Sequence, residues 1–212
     1  MHIAEGVLSG SALIAGAGAT ALGTAAGLKK MEDEDIPQVA VVAAALFVAS
    51  LIHIPLGPTT VHLVLNAIAG ILLGWKVFPA FLAAIFLQSI LFQFGGLIVV
   101  GVNTLLVAFP AVLVHYLFLF LVKNKKNKQW LGIGGFICGA VSILATAILL
   151  MGALLFTHES FYQLARLILA SYLPLMIIEG LITAFCLLFL YQVKPEIIAD
   201  KAVEIGSLKE KA

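Results

Sequence analysis

Seven apolar runs, separated by short polar, proline-containing or paired-glycine breaks, leave this chain few ways to fold. They occupy residues 7–28, 36–54, 61–75, 77–94, 105–122, 131–156 and 164–193. A helix that crosses the hydrocarbon core needs about 20 mainly apolar residues, and in lipid a chain must satisfy its own backbone groups. The pattern predicts an all-α integral membrane protein. Its seven transmembrane helices fill a single domain over residues 1–193, with a polar tail over 194–212. Composition agrees, because 62% of the residues are hydrophobic and 11% charged, where a soluble domain has about a quarter charged. The third run is short. Its fifteen residues reach about 22 Å at 1.5 Å per residue, so either that helix tilts little or the loop ahead of it dips into the membrane.

The basic residues orient the spans. Lys29 and Lys30 follow the first run and Lys76 the third. Lys123, Lys125, Lys126 and Lys128 follow the fifth, and Lys194, Lys201, Lys209 and Lys211 the seventh. Only Arg166 falls on the other side. Alternating spans then put the N-terminus outside and the C-terminal tail in the cytoplasm. No Lys or Arg precedes Lys29, so the positive n-region of a signal peptide is missing and the first span is expected to stay. The tail reads as solvated, with Pro195 as a break.

A formal net charge of +1 and the lack of a basic stretch exclude nucleic acid as a partner. Cys138 and Cys186 lie far apart in apolar runs, which suits packing and neither a disulfide nor a CxxC metal site. The chain contains no GxxxxGK[ST], HExxH or GxSxG, so it is not expected to hydrolyse ATP or to act as a hydrolase of those kinds. Any energy for transport would come from a partner.

Histidine in or near lipid is costly without a partner or a task. His2, His53, His62 and His158 fall toward the outer side, and His115 lies within the fifth run. His115 and His158 read as hydrogen-bonded structural residues. His2 differs, because the terminal amine, the amide nitrogen of residue 2 and the imidazole Nδ1 can close a five-membered and then a six-membered chelate ring. Such a planar nitrogen set suits Ni²⁺ or Cu²⁺, and Co²⁺ can also accept it. One more imidazole would close the square. His62 follows Ile54-Pro55-Leu56-Gly57-Pro58-Thr59-Thr60, a stretch that reads either as the lining of an outward pocket or as an ordinary turn with His62 at a helix start.

Glu179 sits near the middle of the last run, where an acid is expensive. A structural or inter-subunit hydrogen bond suits it better than metal binding. Gln88, Gln93, Asn66 and Asn103 read as polar links between helices, with Gln93 and Asn103 near enough to the outer side to support a ligand. Small residues four apart, Ala15 with Ala19, Ala40 with Ala44 and Ala45 with Ala49, predict close helix packing, internal or with another subunit.

Taken together, several stretches resemble the CbiM/NikM family, the substrate-binding membrane subunits of cobalt and nickel energy-coupling-factor transporters. They are Met1-His2-Ile3-Ala4-Glu5-Gly6, Ile54 through Thr60 continuing to Val61-His62-Leu63, Leu73-Gly74-Trp75, Phe94-Gly95-Gly96, Gly101-Val102-Asn103-Thr104 and Glu179-Gly180. The resemblance runs nearly end to end. It implies metal ligation by the Met1 amine, the His2 amide nitrogen, the His2 imidazole and His62, with Ni²⁺ or Co²⁺ as transported substrate. It also implies a six-helix substrate-binding core plus one extra N-terminal helix, in a prokaryotic cell membrane. Ala40, Ala44, Ala45 and Ala49 would face a transmembrane coupling subunit, which works with ATPase subunits and a small accessory membrane subunit. Nickel enzymes and cobalamin biosynthesis are equally served by such a chain. Where many relatives read Gly-Gly-Thr, this chain has Gly57-Pro58-Thr59, so His53 either supports the site or packs beside it. Two other readings are a related module for an organic vitamin, which has no need of His2, and a membrane enzyme using His62 and Glu179 as base and acid. A purely structural subunit is the third, and it predicts no ligand.

Overall fold

The computed structural model describes residues 3–56, 59–122, 128–158 and 161–197. Its helices are α1 (Gly10–Lys29), α2 (Ile36–Ala49), α3 (Asn66–Leu73), α4 (Val77–Phe92), α5 (Val100–Val122), α6 (Lys128–Thr157) and α7 (Tyr162–Val193). Among the described residues, five stretches are long and apolar enough to cross a membrane: Gly10–Lys29, Asn66–Phe92, Val100–Val122, Lys128–Thr157 and Leu167–Val193. The second of these is not one straight rod. Gly74 has φ 56° and ψ −129°, a conformation that only glycine adopts readily, and with the 3-10 turn Gly74–Lys76 it separates α3 from α4. The His115 ring lies against Gly74.

The third predicted span, residues 61–75, is therefore corrected. The chain first makes a hairpin, β1 (His53–Leu56) with β2 (Thr59–His62), antiparallel and in the register His53 opposite His62. Pro55 has no amide to donate and disfavours helix, while Thr59, Thr60 and Val61 are β-branched and favour extended backbone. The paired strands satisfy each other's backbone groups, so the segment tolerates an apolar setting without being helical. What remains for α3 is eight residues, about 12 Å of helix. α2 is also shorter than its predicted 36–54, ending at Ala49. α5 starts earlier than predicted, at Val100, which takes Asn103 into its first turn.

α1 docks through small residues: Ala12, Gly16, Thr20, Gly23 and Gly27 form its buried face. Gly16 lies on Val102, Gly23 on the Phe78 ring, and the Thr20 hydroxyl donates to the Gly101 carbonyl at 2.6 Å. The predicted Ala15/Ala19 pair is one position away from this seam; Ala15 is exposed and Ala19 half-buried. Small side chains let the backbones approach, which supplies the packing that lipid cannot. Outward-facing Ile14, Leu22, Phe120 and Phe185 suit contact with acyl chains.

α3 is the central element, with Asn66, Ala67, Ala69, Gly70, Ile71 and Leu73 all buried. Asn66 donates to the Thr146 hydroxyl at 3.0 Å and accepts from the Ser142 hydroxyl at 2.9 Å, tying α3 to α6. A Cβ at Gly70 would run into the main chain of Ala111. Gly70→Ala is thus expected to cost about 2–3 kcal/mol through overpacking that a rigid backbone cannot relieve, read as a lower melting temperature in detergent.

One end of the molecule is fastened by charge and aromatic contacts. Lys76 pairs with Asp35 at 2.5 Å, the Lys30 ammonium lies 5.5 Å from the Trp75 ring centre, and Trp75 Nε1 donates to the Tyr116 hydroxyl at 2.9 Å. The end of α1, the start of α2 and the α3–α4 junction therefore share one side. The tail beyond residue 197 lies outside the described residues.

Candidate functional site

At the other end, the segment ahead of α1, the hairpin, and the α4–α5 connection converge. Ile3 is buried, and the Asn103 carboxamide brackets it: the Ile3 amide donates to Asn103 Oδ1 at 2.9 Å, and Asn103 Nδ2 donates to the Ile3 carbonyl at 3.1 Å. Two residues on, the Glu5 amide donates to the Gly95 carbonyl at 2.9 Å, and Glu5 Oε1 accepts from the Ile98 amide at 2.9 Å. Gly96, at φ +106°, leaves the space that the Glu5 carboxyl fills. The Ser9 amide closes the strap on Thr157 at 3.3 Å.

His62, only 7% exposed, lines a cavity of about 20 Å³ together with Ser50, Val64, Gln88 and Asn103. That volume accommodates one water-sized body, and so a single ion. His62 Nδ1 lies 2.9 Å from the Leu63 carbonyl. A carbonyl oxygen only accepts, so this contact assigns the proton to Nδ1 and the basic lone pair to Nε2. Burial lowers the His62 pKa below the usual histidine value, against the raising effect of the Leu63 hydrogen bond. The ring is thereby held in the neutral, ligand-competent form.

Met1 and His2 lie outside the described residues, but they immediately precede Ile3, and each adds at most 3.8 Å of chain. Ile3 shares Asn103 with the cavity that His62 lines. Among the described residues, no three His, Cys, Asp or Glu side chains gather as a metal cage. Any ion held here needs ligands besides His62.

Other expected residues divide. Asn103 joins His62 at the cavity. His53 borders it, with its ring edge-on to His62 at 6.0 Å and to Phe94 at 5.7 Å, while Nδ1 contacts the Leu51 carbonyl at 3.0 Å. Gln93 is an exposed residue in left-handed conformation closing α4, and Gln88, five residues earlier, is the glutamine that lines the cavity. A side chain five residues back along a helix points to a different face, and the left-handed end turns Gln93 away. On α2, Ala40, Ala44 and Ala45 are exposed, whereas Ala49 is buried in the core. Glu179 is buried and accepts from the amides of Val64 and Leu65. His115 sits at the Gly74 turn, edge-on to Tyr116 at 5.3 Å. Glu5 carried no sequence-based role, although Gly95-Gly96 in the sequence marks a backbone that something approaches closely.

Comparison with known proteins is consistent along the whole chain. The family model for the cobalt uptake substrate-specific transmembrane region matches residues 2–197. A Haemophilus influenzae protein named for metal transport is 41% identical over 203 residues, covering 93% of this chain and 97% of its own. The cobalt transport protein CbiM of Sorangium cellulosum is 28% identical, covering 93% and 94%. A crystal structure of a transition metal transporter superposes with a TM-score of 0.74 at 27% identity, covering 95% of this chain and 97% of that one.

Proposed function

Because the chain belongs to the cobalt uptake substrate-specific transmembrane family, the multi-pass membrane components for cobalt or nickel uptake in prokaryotic cells, we propose that it captures Ni²⁺ or Co²⁺ outside and delivers the ion inward. The Met1 amine, the His2 amide nitrogen, the His2 imidazole and His62 Nε2 form a planar four-nitrogen set around the ion. The observation that carries this reading is the Asn103 clamp, which fastens Ile3 beside the cavity lined by His62. Nitrogen-rich planar sites suit these late divalent metals. A neutral His62 with its lone pair on Nε2 is a ready ligand.

An α1 that crosses the membrane with the N-terminus outside accommodates this site. The Lys30, Lys76 and Trp75 cluster then lies in the cytoplasm, as the positive-inside rule favours, and the capture site opens outward. The exposed Ala40, Ala44 and Ala45 on α2 meet a coupling subunit, while Leu46 of the same helix and Ser50 at its C-cap line the cavity. A partner that moves α2 therefore reaches the site directly. ATPase subunits working through that coupling subunit, helped by a small accessory membrane subunit, drive withdrawal of the N-terminal chelate from His62 and release of the ion. The chain itself is a transport component and not an enzyme.

The test is equilibrium binding of Ni²⁺ and Co²⁺ to detergent-purified protein with a native N-terminus. One ion per chain is expected, with the absorption of a nitrogen-rich planar nickel site. No binding of either ion overturns the reading. Asn103→Ala leaves the Ile3 amide and carbonyl unpaired, and is expected to weaken nickel binding about 10- to 100-fold, as loss of ligand-orienting partners does, mostly through faster dissociation.

A further inference from the structure

Glu179 is a fully buried acid in the middle of an apolar helix, and none of the ligand roles above uses it. Its carboxylate accepts from the Val64 amide at 2.5 Å through Oε1, and from the Leu65 amide at 3.1 Å and 3.2 Å through Oε1 and Oε2. These are the second and third residues after His62. We propose that Glu179 is the positioning residue of the metal site, holding the Leu63–Asn66 turn so that His62 Nε2 is presented to the ion.

The backbone around that turn needs holding. Leu65 adopts φ 54° and ψ 23°, a left-handed conformation that a branched side chain resists. It is the N-cap residue of α3, and no side chain of its own caps that helix. A carboxylate from α7 instead accepts from the N-cap amide and from the amide before it, and a negative group at a helix N-terminus is favourably placed. From the other side, Ser142 and Thr146 grip Asn66. Val64, Leu65 and Asn66 are thus bolted to α6 and α7 by side chains.

The bolt is itself rigid. α6 and α7 pack closely at this level, where Gly139 lies against the Glu179 carbonyl and the Gly180 backbone, and Gly180 against Phe136. Glu179 therefore cannot drift without separating two helices. Groups that orient a ligand while touching no metal are an established element of metal sites.

This inference rests on the metal-capture reading, and the experiment separates the two. Wild type and Glu179→Gln, both with native N-termini, are titrated with Ni²⁺ while visible absorption is recorded, and amide exchange at Val64 and Leu65 is measured on the metal-free proteins. Glu179→Gln replaces a two-oxygen acceptor by a single one. Nickel affinity is expected to fall about 10- to 100-fold, with an altered absorption band and faster exchange at both amides. Loss of affinity with an unchanged band and unchanged exchange would mark a merely structural effect and overturn the proposal, as would wild-type affinity. If Glu179→Gln does not fold, Glu179→Asp, which keeps the charge but withdraws it by one methylene, is read by the same three criteria. Adding Leu65→Gly, which adopts the left-handed turn without strain, is expected to restore part of the affinity. Absence of nickel binding in the wild type would instead count against the metal-capture reading, and the exchange data would still show whether Glu179 holds the turn.

Discussion

His62→Ala is expected to abolish high-affinity nickel and cobalt binding while leaving the protein inserted and monodisperse. Four-ligand sites of comparable metals are worth about 10–16 kcal/mol, so each ligand contributes about 3 kcal/mol. Its loss therefore weakens binding by at least about a hundredfold. The fold should survive because His62 ends a short strand, outside the helices that build the core. Equilibrium titration with Ni²⁺, paired with size-exclusion elution and helix content, checks both halves. Unchanged affinity would remove His62 from the site.

Adding one glycine ahead of Met1 is expected to have an effect at least as large. The extension moves the primary amine one residue away from His2, so the fused five- and six-membered rings can no longer form from the amine, the adjacent amide and the imidazole. The described residues are untouched by this change. Binding should fall by about a hundredfold or more, because the set loses its anchoring nitrogen and its geometry together. Equal affinity of the native and extended proteins would show that His2 does not chelate in this way. pH offers a second handle. An α-amine has a pKa of about 7.7–8.0, and protons compete with metal for it, so affinity should decline as pH falls below about 8. His62 does not add to that decline at first. Burial lowers its pKa, which keeps it neutral through the range where the amine is already protonating.

Much of the helical architecture was legible in the sequence, since apolar run length is a direct consequence of what a bilayer tolerates. α4, α6 and α7 start or end within a few residues of the apolar runs that predict them. The hairpin was not legible as such. Residues 53–62 contain prolines, a glycine and β-branched residues, which signal non-helical backbone but not its pairing, and pairing depends on a partner strand. The seam of α1 was misplaced by one position because Ala15 and Gly16 are both small, and only contact with Val102 selects between them.

The same division holds at the site. The residue types at positions 1, 2 and 62 suggested a metal chelate on chemical grounds alone, since amine, amide and imidazole nitrogens are defined by covalent structure. Which polar residues surround the cavity at His62 was decided by tertiary structure. Gln88 rather than Gln93 lines the cavity, Glu5 straps the N-terminal segment to the α4–α5 connection, and Glu179 reaches across from α7 to the turn after His62. Hydrogen bonds between residues about 100 positions apart, such as Ile3 with Asn103 and Val64 with Glu179, leave no periodicity in the chain. The sequence by itself determined a membrane bundle, because hydrophobicity is local, and it supplies the nitrogen donors of the proposed chelate, because covalent chemistry is local too. The burial of His62 at the end of the hairpin, and the clamp beside it, exist only once the helices have packed.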